Sequence, residues 1–410
     1  MPRSDPAPSE RHRLRRRART AIFVTVLLDL LGFGMILPIL PFYGQAYGAS
    51  DFQVGLLFAS YSAAQLVFAP LLGRLSDRVG RRPVLLATIA GGLLAHLAFA
   101  AAGSFAVLVA ARTAAGLAAG NLGIAQAFMA DVTEPGERSK AMGLIGAAFG
   151  LGFVLGPAFG GMLALIDRVA VPLGAAALGA INLGMAARWL PESLDLAVRE
   201  RSRGRRWFDP RALGRLLADR PLLGLMILFF LVTFSISLME ATLALFVQQR
   251  FAFGDWETSW LFVLVGVVMV VVQGGLVGRA VARWGERRLI PVGMAAMAIG
   301  LLLIGSSGAV ATLALALAVL AFGAGLNNPS TLGLLSQLTG EETQGGVLGL
   351  SRSFGALART VGPLAGTWIF GQAGPPWPFW AAGGVMAASL LLAVWVVRGA
   401  SGRTAASTER

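Results

Sequence analysis

Residues 73–86 read "GRLSDRVGRRPVLL" and gather Arg74, Asp77, Arg78, Arg81 and Arg82 into one short run with almost wholly apolar sequence on either side. The contrast is a property of the whole chain. Of its 410 residues 56% are hydrophobic and only 13% charged, with a mean hydropathy of +0.71. A soluble domain carries about 25% charged residues, so water is not this chain's main solvent. There is no cysteine, which removes disulfides, thiolate metal sites and cysteine nucleophiles together. His12 and His96 are the two histidines, too few for an imidazole metal cage.

A helix needs about 20 apolar residues to cross the hydrocarbon. About twelve stretches qualify: 21–43, 54–72, 84–102, 105–130, 140–165, 169–190, 221–247, 258–278, 289–307, 309–333, 344–371 and 376–398. The polar segment 191–220 divides them six and six. The expected organisation is a basic N-terminus over 1–20, a six-helix bundle over 21–190, the central linker 191–220, a second bundle over 221–398 and a tail over 399–410. Arginines crowd the N-terminus, the 73–83 loop, the linker and the 279–288 loop, while the intervening loops carry few. Basic loops stay on the cytoplasmic side, which predicts a multi-pass protein of the inner (cytoplasmic) membrane with both termini inside. The first apolar run is too long for a signal peptide and lacks a small-residue cleavage site, so it reads as the first span.

The charged loop has a degraded copy, "GRAVARWGERRLIP", beginning at Gly278. Gly73, Arg74, Arg78, Gly80 and Arg82 correspond to Gly278, Arg279, Arg283, Gly285 and Arg287 at a nearly constant shift. Asn121 maps to Asn327, Thr133 to Thr339, and Gly156–Pro157 to Gly362–Pro363. The fold implied is an all-α polytopic membrane protein of two six-helix bundles related by a pseudo-twofold axis along the membrane normal. Parallel repeats of this kind house a substrate site between the halves and work by alternating access.

On three stretches the chain resembles the major facilitator superfamily over nearly its whole length, and within it the twelve-span drug:proton antiporters that include the tetracycline exporters. "LLDLLGFGMILPILPFY" (27–43) is similar to their first span. The 73–86 stretch is similar to the superfamily's loop between spans 2 and 3, and "GAAFGLGFVLGPAFGG" (146–161) to the antiporter motif of span 5. The resemblance implies the major facilitator fold, a proton gradient as the energy source with no cofactor, and a functional monomer binding a small molecule and protons but no nucleic acid. It also implies a cytoplasmic latch built from Gly73, Asp77, Arg78, Gly80, Arg81 and Arg82. It departs from the tetracycline exporters where they carry acids: Ala95 and His96 stand near one, and "PVGMAAMAIGLLLIG" offers no other. Tetracycline itself is therefore not the expected cargo.

Several residues carry chemistry. Asp29 lies about 12 Å along the first span, where an ionised carboxylate costs at least about 2.5–3.5 kcal/mol unless paired or hydrated. Reversible protonation there is what a proton-coupled carrier requires, and the resemblance implies a coupling role at this position. Arg112, about 10 Å into span 4 from its other end, is a candidate counter-charge. Arg359 lies too deep in span 11 to snorkel, and Glu240 is a candidate partner; an Arg359 left without a protein counter-charge would select substrates bearing an acidic group. His96, Asn121, Gln126 and Asn327 complete the candidate cavity residues. Gly146, Gly150, Gly156 and Gly160 follow small-xxx-small spacing that brings helices close, with Pro157 as a kink. The predicted activity is proton-coupled export of a hydrophobic drug-like molecule or metabolite; the alternative is proton-coupled uptake of a metabolite. An enzyme needs a nucleophile with a base or a metal cluster, and neither is visible. The sole lysine, Lys140, lies in "ERSKAM" with no phosphate-binding loop, which excludes an ATP-driven pump.

Overall fold

The computed structural model describes residues 8–194, 214, 218–339 and 341–408; most of the 191–220 linker lies outside them, as do residues 1–7. The helices are α1 Pro8–Ile36, α2 Leu40–Ala46, α3 Asp51–Val79, α4 Arg81–Ala100, α5 Phe105–Ala118, α6 Asn121–Asp131, α7 Arg138–Ala164, α8 Ala170–Trp189, α9 Arg220–Phe251, α10 Asp255–Val271, α11 Val277–Trp284, α12 Glu286–Gly305, α13 Val310–Gln337, α14 Glu341–Ala373 and α15 Trp377–Thr408.

Eleven spans among the described residues are long and apolar enough to cross a membrane. The predicted span 344–371 is helical as part of α14 but falls outside that set, because Arg352, Arg359 and several glycines and threonines dilute its hydropathy. Three other predicted spans are interrupted. The stretch 21–43 breaks around Pro38 into α1 and α2, since a proline ring clashes with the preceding turn and lacks an N–H. The stretch 105–130 breaks at Ala119–Gly120 between α5 and α6. The stretch 258–278 passes through a π-helical turn, Val272–Leu276, before α11. The last helix runs to Thr408, past the expected boundary at 398.

The helices pack as two compact units, one of Met1–Ile36 with Val67–Trp207 and the other of Leu37–Leu66 with Phe208–Arg410. The division departs from the linker-based one in assigning 37–66 to the second unit. Glycine explains it: a Cβ at Gly55 of α3 would lie 2.8 Å from the Pro363 carbonyl of α14 and collide with Thr367 Oγ1. In the first unit, Ile22, Leu85, Ile124, Phe128 and Ile145 join α1, α4, α6 and α7 in one core. In the second, Phe246 and Phe379 meet edge to face at 5.0 Å. Large apolar side chains also point outward, with Ile166 and Leu391 each 79% exposed, as a lipid-facing surface requires.

The same contact recurs in each unit. A Cβ at Gly156 of α7 would fall 2.8 Å from Gly34 Cα of α1, and one at Gly160 would strike the Met35 backbone. In the second unit Gly362 and Gly366 of α14 meet Phe234, Ser237 and Leu238 of α9 in the same manner. Gly152, not predicted, belongs to the first stripe, since its Cβ would sit 2.6 Å from Leu30. Gly146 does not: a Cβ there meets nothing within 4 Å. Of the small-xxx-small glycines, Gly156 and Gly160 thus lie in this contact and Gly146 lies outside it.

Replacing Gly156 by leucine should therefore destabilise the first unit by more than about 3 kcal/mol, because backbone on the α1 side cannot yield as a side chain would. Gly146→Leu should be tolerated. Comparing the yield of monodisperse protein on size-exclusion chromatography checks the contrast; equal yields for the two variants would refute it.

Candidate functional site

Asp29 lies in the membrane-spanning part of α1, and the helix break between α5 and α6 supplies its partner. Gly120 fits at the break because Leu72 of α3 presses on it: a Cβ there would lie 2.7 Å from Leu72 Cδ1. Asn121 then opens α6, and its Oδ1 accepts the Leu122 N–H at 2.9 Å. That bond orients the amide so that its NH2 side donates to the Asp29 carboxyl, with which the Asn121 side chain is hydrogen-bonded. Asp29 and Asn121 line a cavity of about 10 Å³ together with Thr25, Val26, Leu30, Leu122 and Ala125. This is room for about one water molecule. Thr25 Oγ1 is buried with no hydrogen-bond partner, while its carbonyl accepts from Asn182 Nδ2 of α8 at 3.1 Å.

One turn further along α1, about 4.5 Å by helical rise, a second polar pair approaches. His96 Nε2 of α4 lies 3.7 Å from the point where a Gly32 Cβ would be. The charge of Arg112, from α5, acts on this imidazole, and Arg112 itself is 4% exposed. The structure thus places Arg112 at His96, and Asn121 at Asp29.

In the second unit Glu240 of α9 and Tyr61 of α3 each lie within electrostatic reach of Arg359 of α14. Asn327, expected to line a cavity, is turned into the protein instead. It is 1% exposed, its Nδ2 donates to the Ile290 carbonyl at 3.1 Å and its Oδ1 accepts from Thr331 Oγ1 at 3.2 Å. Both ends of the amide are engaged by helix packing, which corrects that expectation. Gln126 is half-buried on α6.

The charged loop is a network within the first unit. Gly80 turns the chain between α3 and α4 at φ 121°, a conformation that favours glycine. Ser76 Oγ donates to the Gly73 carbonyl at 2.6 Å. Arg81 pairs with Asp77, donates to Ser76 Oγ at 2.7 Å and reaches Asp131 Oδ2 of α6 at 3.3 Å. The Arg81 amide donates to Glu192 Oε1 at 2.9 Å, and Arg82 Nη2 to the Ala187 carbonyl of α8 at 2.6 Å. Arg78 is half-buried beside them.

Asp131 and Glu192 escaped the sequence reading, yet the repeat held a signal for the first. At the spacing of about 205 that relates the two loops, Arg81 maps to Glu286 and Asp131 to Gln337. In the second unit Gln337 Nε2 donates to Glu286 Oε1 at 2.8 Å. The same two positions touch in both copies with different chemistry, and Gly285 repeats the positive φ of Gly80, at 74°. The second loop keeps the turn and loses the Asp–Arg pair, since Ala282 replaces Asp77.

Arg81→Ala should cost the first unit about 1–3 kcal/mol, because a side chain only 11% exposed loses charge-assisted bonds to Ser76 and Asp131. Arg279→Ala, in the second copy, removes one exposed bond to the Gly275 carbonyl and should stay within about 0.5 kcal/mol of the parent. Thermal melting in detergent reads both; equal losses would mean that the two loops are not chemically distinct.

The chain matches the Major Facilitator Superfamily profile over residues 22–279 and 258–410. It is 32% identical to Major facilitator superfamily domain-containing protein 10 of Homo sapiens, over 88% of this chain and 88% of that protein. It is also 32% identical to Tetracycline resistance protein, class C, of Escherichia coli, over 88% and 91% respectively. The crystal structure of the human organic anion transporter MFSD10 superposes with a TM-score of 0.72 at 31% identity, covering 92% of this chain and 99% of that one. With its apolar helices, twofold-repeated glycine contacts and paired charged loops, this multi-pass membrane protein belongs to the Major Facilitator Superfamily of secondary transporters and is not an enzyme.

Proposed function

We propose that this chain exports a hydrophobic small molecule in exchange for protons, and that Asp29 is the group that takes up and releases the proton. The observation that carries this reading is the pairing of Asp29 with Asn121 beside a water-sized cavity inside a membrane-spanning helix. A carboxylate left bare at that depth would be unfavourable by at least about 2.5–3.5 kcal/mol. The Asn121 NH2 and one water give the ionised form donors. The protonated form gains a different arrangement, in which the acid O–H donates to the water or to the idle Thr25 Oγ1. A site that accommodates both protonation states can change between them during a transport cycle. The His96–Arg112 pair one turn away is a positive element whose approach or retreat biases which state Asp29 holds.

Export is favoured by the likeness to tetracycline resistance proteins and by the close α1–α7 contact at the span-5 glycine motif, which leaves no space for a proton leak between those two helices. The placement of arginines on alternate loops supports cytoplasmic termini in a cytoplasmic membrane.

Inverted membrane vesicles energised to an acid interior and loaded with a pH-sensitive dye test the assignment. A transported compound should collapse the gradient in the parent, and Asp29→Asn should reduce that response at least about 10-fold, since a carboxamide does not titrate. Full coupling in the variant would remove Asp29 from the mechanism. Substrate-driven acidification in right-side-out vesicles, with no response in inverted ones, would replace export by uptake.

A further inference from the structure

We propose that the second unit holds one anionic phospholipid with a glycerol headgroup in a groove at the α12–α13 turn, its phosphate on the guanidinium of Arg250. The proposal goes beyond the transport reading and needs neither a cargo nor a proton gradient for its test.

The turn joining α12 to α13 borders a cavity of about 360 Å³, within the range of about 300–1,000 Å³ that holds small ligands. Leu303, Ser306, Ser307, Gly308, Thr312 and Leu315 line it. Its depth follows from helix length. Helix α12 has 20 residues from Glu286 to Gly305, so by rise it covers about 30 Å, the thickness of the hydrocarbon. The turn after Gly305 therefore sits at the membrane boundary opposite the 279–288 loop. Leu303 and Leu315, 43% and 62% exposed, lie about one turn or more inside that boundary, among the acyl chains. Trp377 and Trp380 of α15 meet edge to face at 5.5 Å, and Trp380 Nε1 donates to Ser306 Oγ at 3.2 Å. An aromatic pair at this level is the signature of a membrane interface. The groove is polar where headgroups lie and apolar beneath, the polarity profile of a lipid.

Arg250, at the end of α9, supplies the charge. A Cβ at Gly308 would lie 3.8 Å from Arg250 Nη2, which brings the guanidinium to the rim. Arg250 is exposed, and among the described residues its side chain forms no ion pair within 4.0 Å and no hydrogen bond. Of the loops at this end, 165–170 and 248–258 carry one arginine each and the rest carry no basic residue. Retention of the chain's orientation does not need a cation here. A planar fork of N–H donors matches a phosphate diester.

The hydroxyls set the rest of the headgroup. Ser307 Oγ donates to the Leu303 carbonyl at 2.7 Å, Ser306 Oγ to that of Leu302 at 3.0 Å and Thr312 Oγ1 to that of Ala309 at 2.7 Å. Each has committed its one proton and keeps acceptor capacity, so a suitable headgroup must donate. An ammonium headgroup donates, but it would meet Arg250 with like charge, and no acidic side chain lines the groove among the described residues. A glycerol headgroup donates through its hydroxyls and leaves the phosphate negative. The chemistry therefore selects phosphatidylglycerol over phosphatidylethanolamine.

The test uses the full-length chain in phosphatidylcholine nanodiscs doped with lipids that carry a diazirine in the acyl chain. Peptide mapping after irradiation measures labelling over residues 302–316. Phosphatidylglycerol should label this segment about fivefold more than phosphatidylethanolamine, the factor expected of one cation facing an anionic lipid. Arg250→Gln should bring the two lipids level, and Arg250→Lys should keep part of the preference, retaining the charge without the fork. Phosphatidylmethanol, with the same charge and no headgroup hydroxyl, should fall between them. Labelling around Leu391, 79% exposed on α15, is the control and should not respond to Arg250. Equal labelling by phosphatidylglycerol and phosphatidylethanolamine in the parent would mean ordinary surrounding lipid and overturn the proposal. A preference that survives Arg250→Gln would overturn it too, as would displacement of the lipid by soluble sn-glycerol 3-phosphate. Phosphatidylmethanol labelling equal to phosphatidylglycerol would overturn the headgroup assignment.

Discussion

Backbone meets backbone where α7 crosses α1 at Gly156 and Gly34, and the arrangement of the first unit depends on that contact. In lipid, two apolar helices gain nothing from the hydrophobic effect when they associate; dispersion and polar contacts must hold them. Side chains removed at Gly34, Gly152, Gly156 and Gly160 allow approach close enough for those weak forces to add up. The approach also fixes the rotation of α1. With one face held against α7, Asp29 is presented to α6, and Gly32 to His96. The second unit repeats the device with Gly362 and Gly366 against α9, and there Ser237 adds a hydrogen bond to the Ala358 carbonyl at 3.2 Å.

Asn121 and Asn327 occupy equivalent places in the repeat and perform different work. The difference is one of backbone. Helix α13 runs unbroken through Asn327 from Val310 to Gln337, so the side chain is carried to the neighbouring α12 and bonds its backbone. The first copy breaks at Ala119–Gly120 and restarts at Asn121. Irregular backbone at membrane depth is tolerated where protein or an internal cavity meets its polar groups, and here Leu122 N–H is met by the Asn121 side chain. One broken helix thus converts a packing amide into a partner for a carboxyl group. The charged loops diverge in a parallel way, with Arg81–Asp131 in one unit and Glu286–Gln337 in the other preserving the contact while changing its charge.

The order of events from sequence to function runs through these asymmetries. A duplicated bundle supplies two similar frames. Glycine contacts hold each frame together, and the residues that differ between copies include an acid with its amide beside a water-sized cavity in the first unit and the Arg359 guanidinium in the second. Both groups would be costly in hydrocarbon without polar partners beside them.

The all-helical membrane character, eleven of the twelve expected spans and the duplicated charged loop were legible from the chain alone. They depend on hydropathy, spacing and rise per residue, all local quantities that a one-dimensional string retains. Which glycines touch, which helix breaks to aim Asn121 at Asp29, the burial of Asn327 and the grouping of 37–66 with the second unit were decided only by the tertiary structure. Each of these turns on the rotation of one helix against another, and in an apolar solvent that rotation leaves no hydrophobic stripe in the sequence, because lipid-facing and core-facing residues are equally greasy.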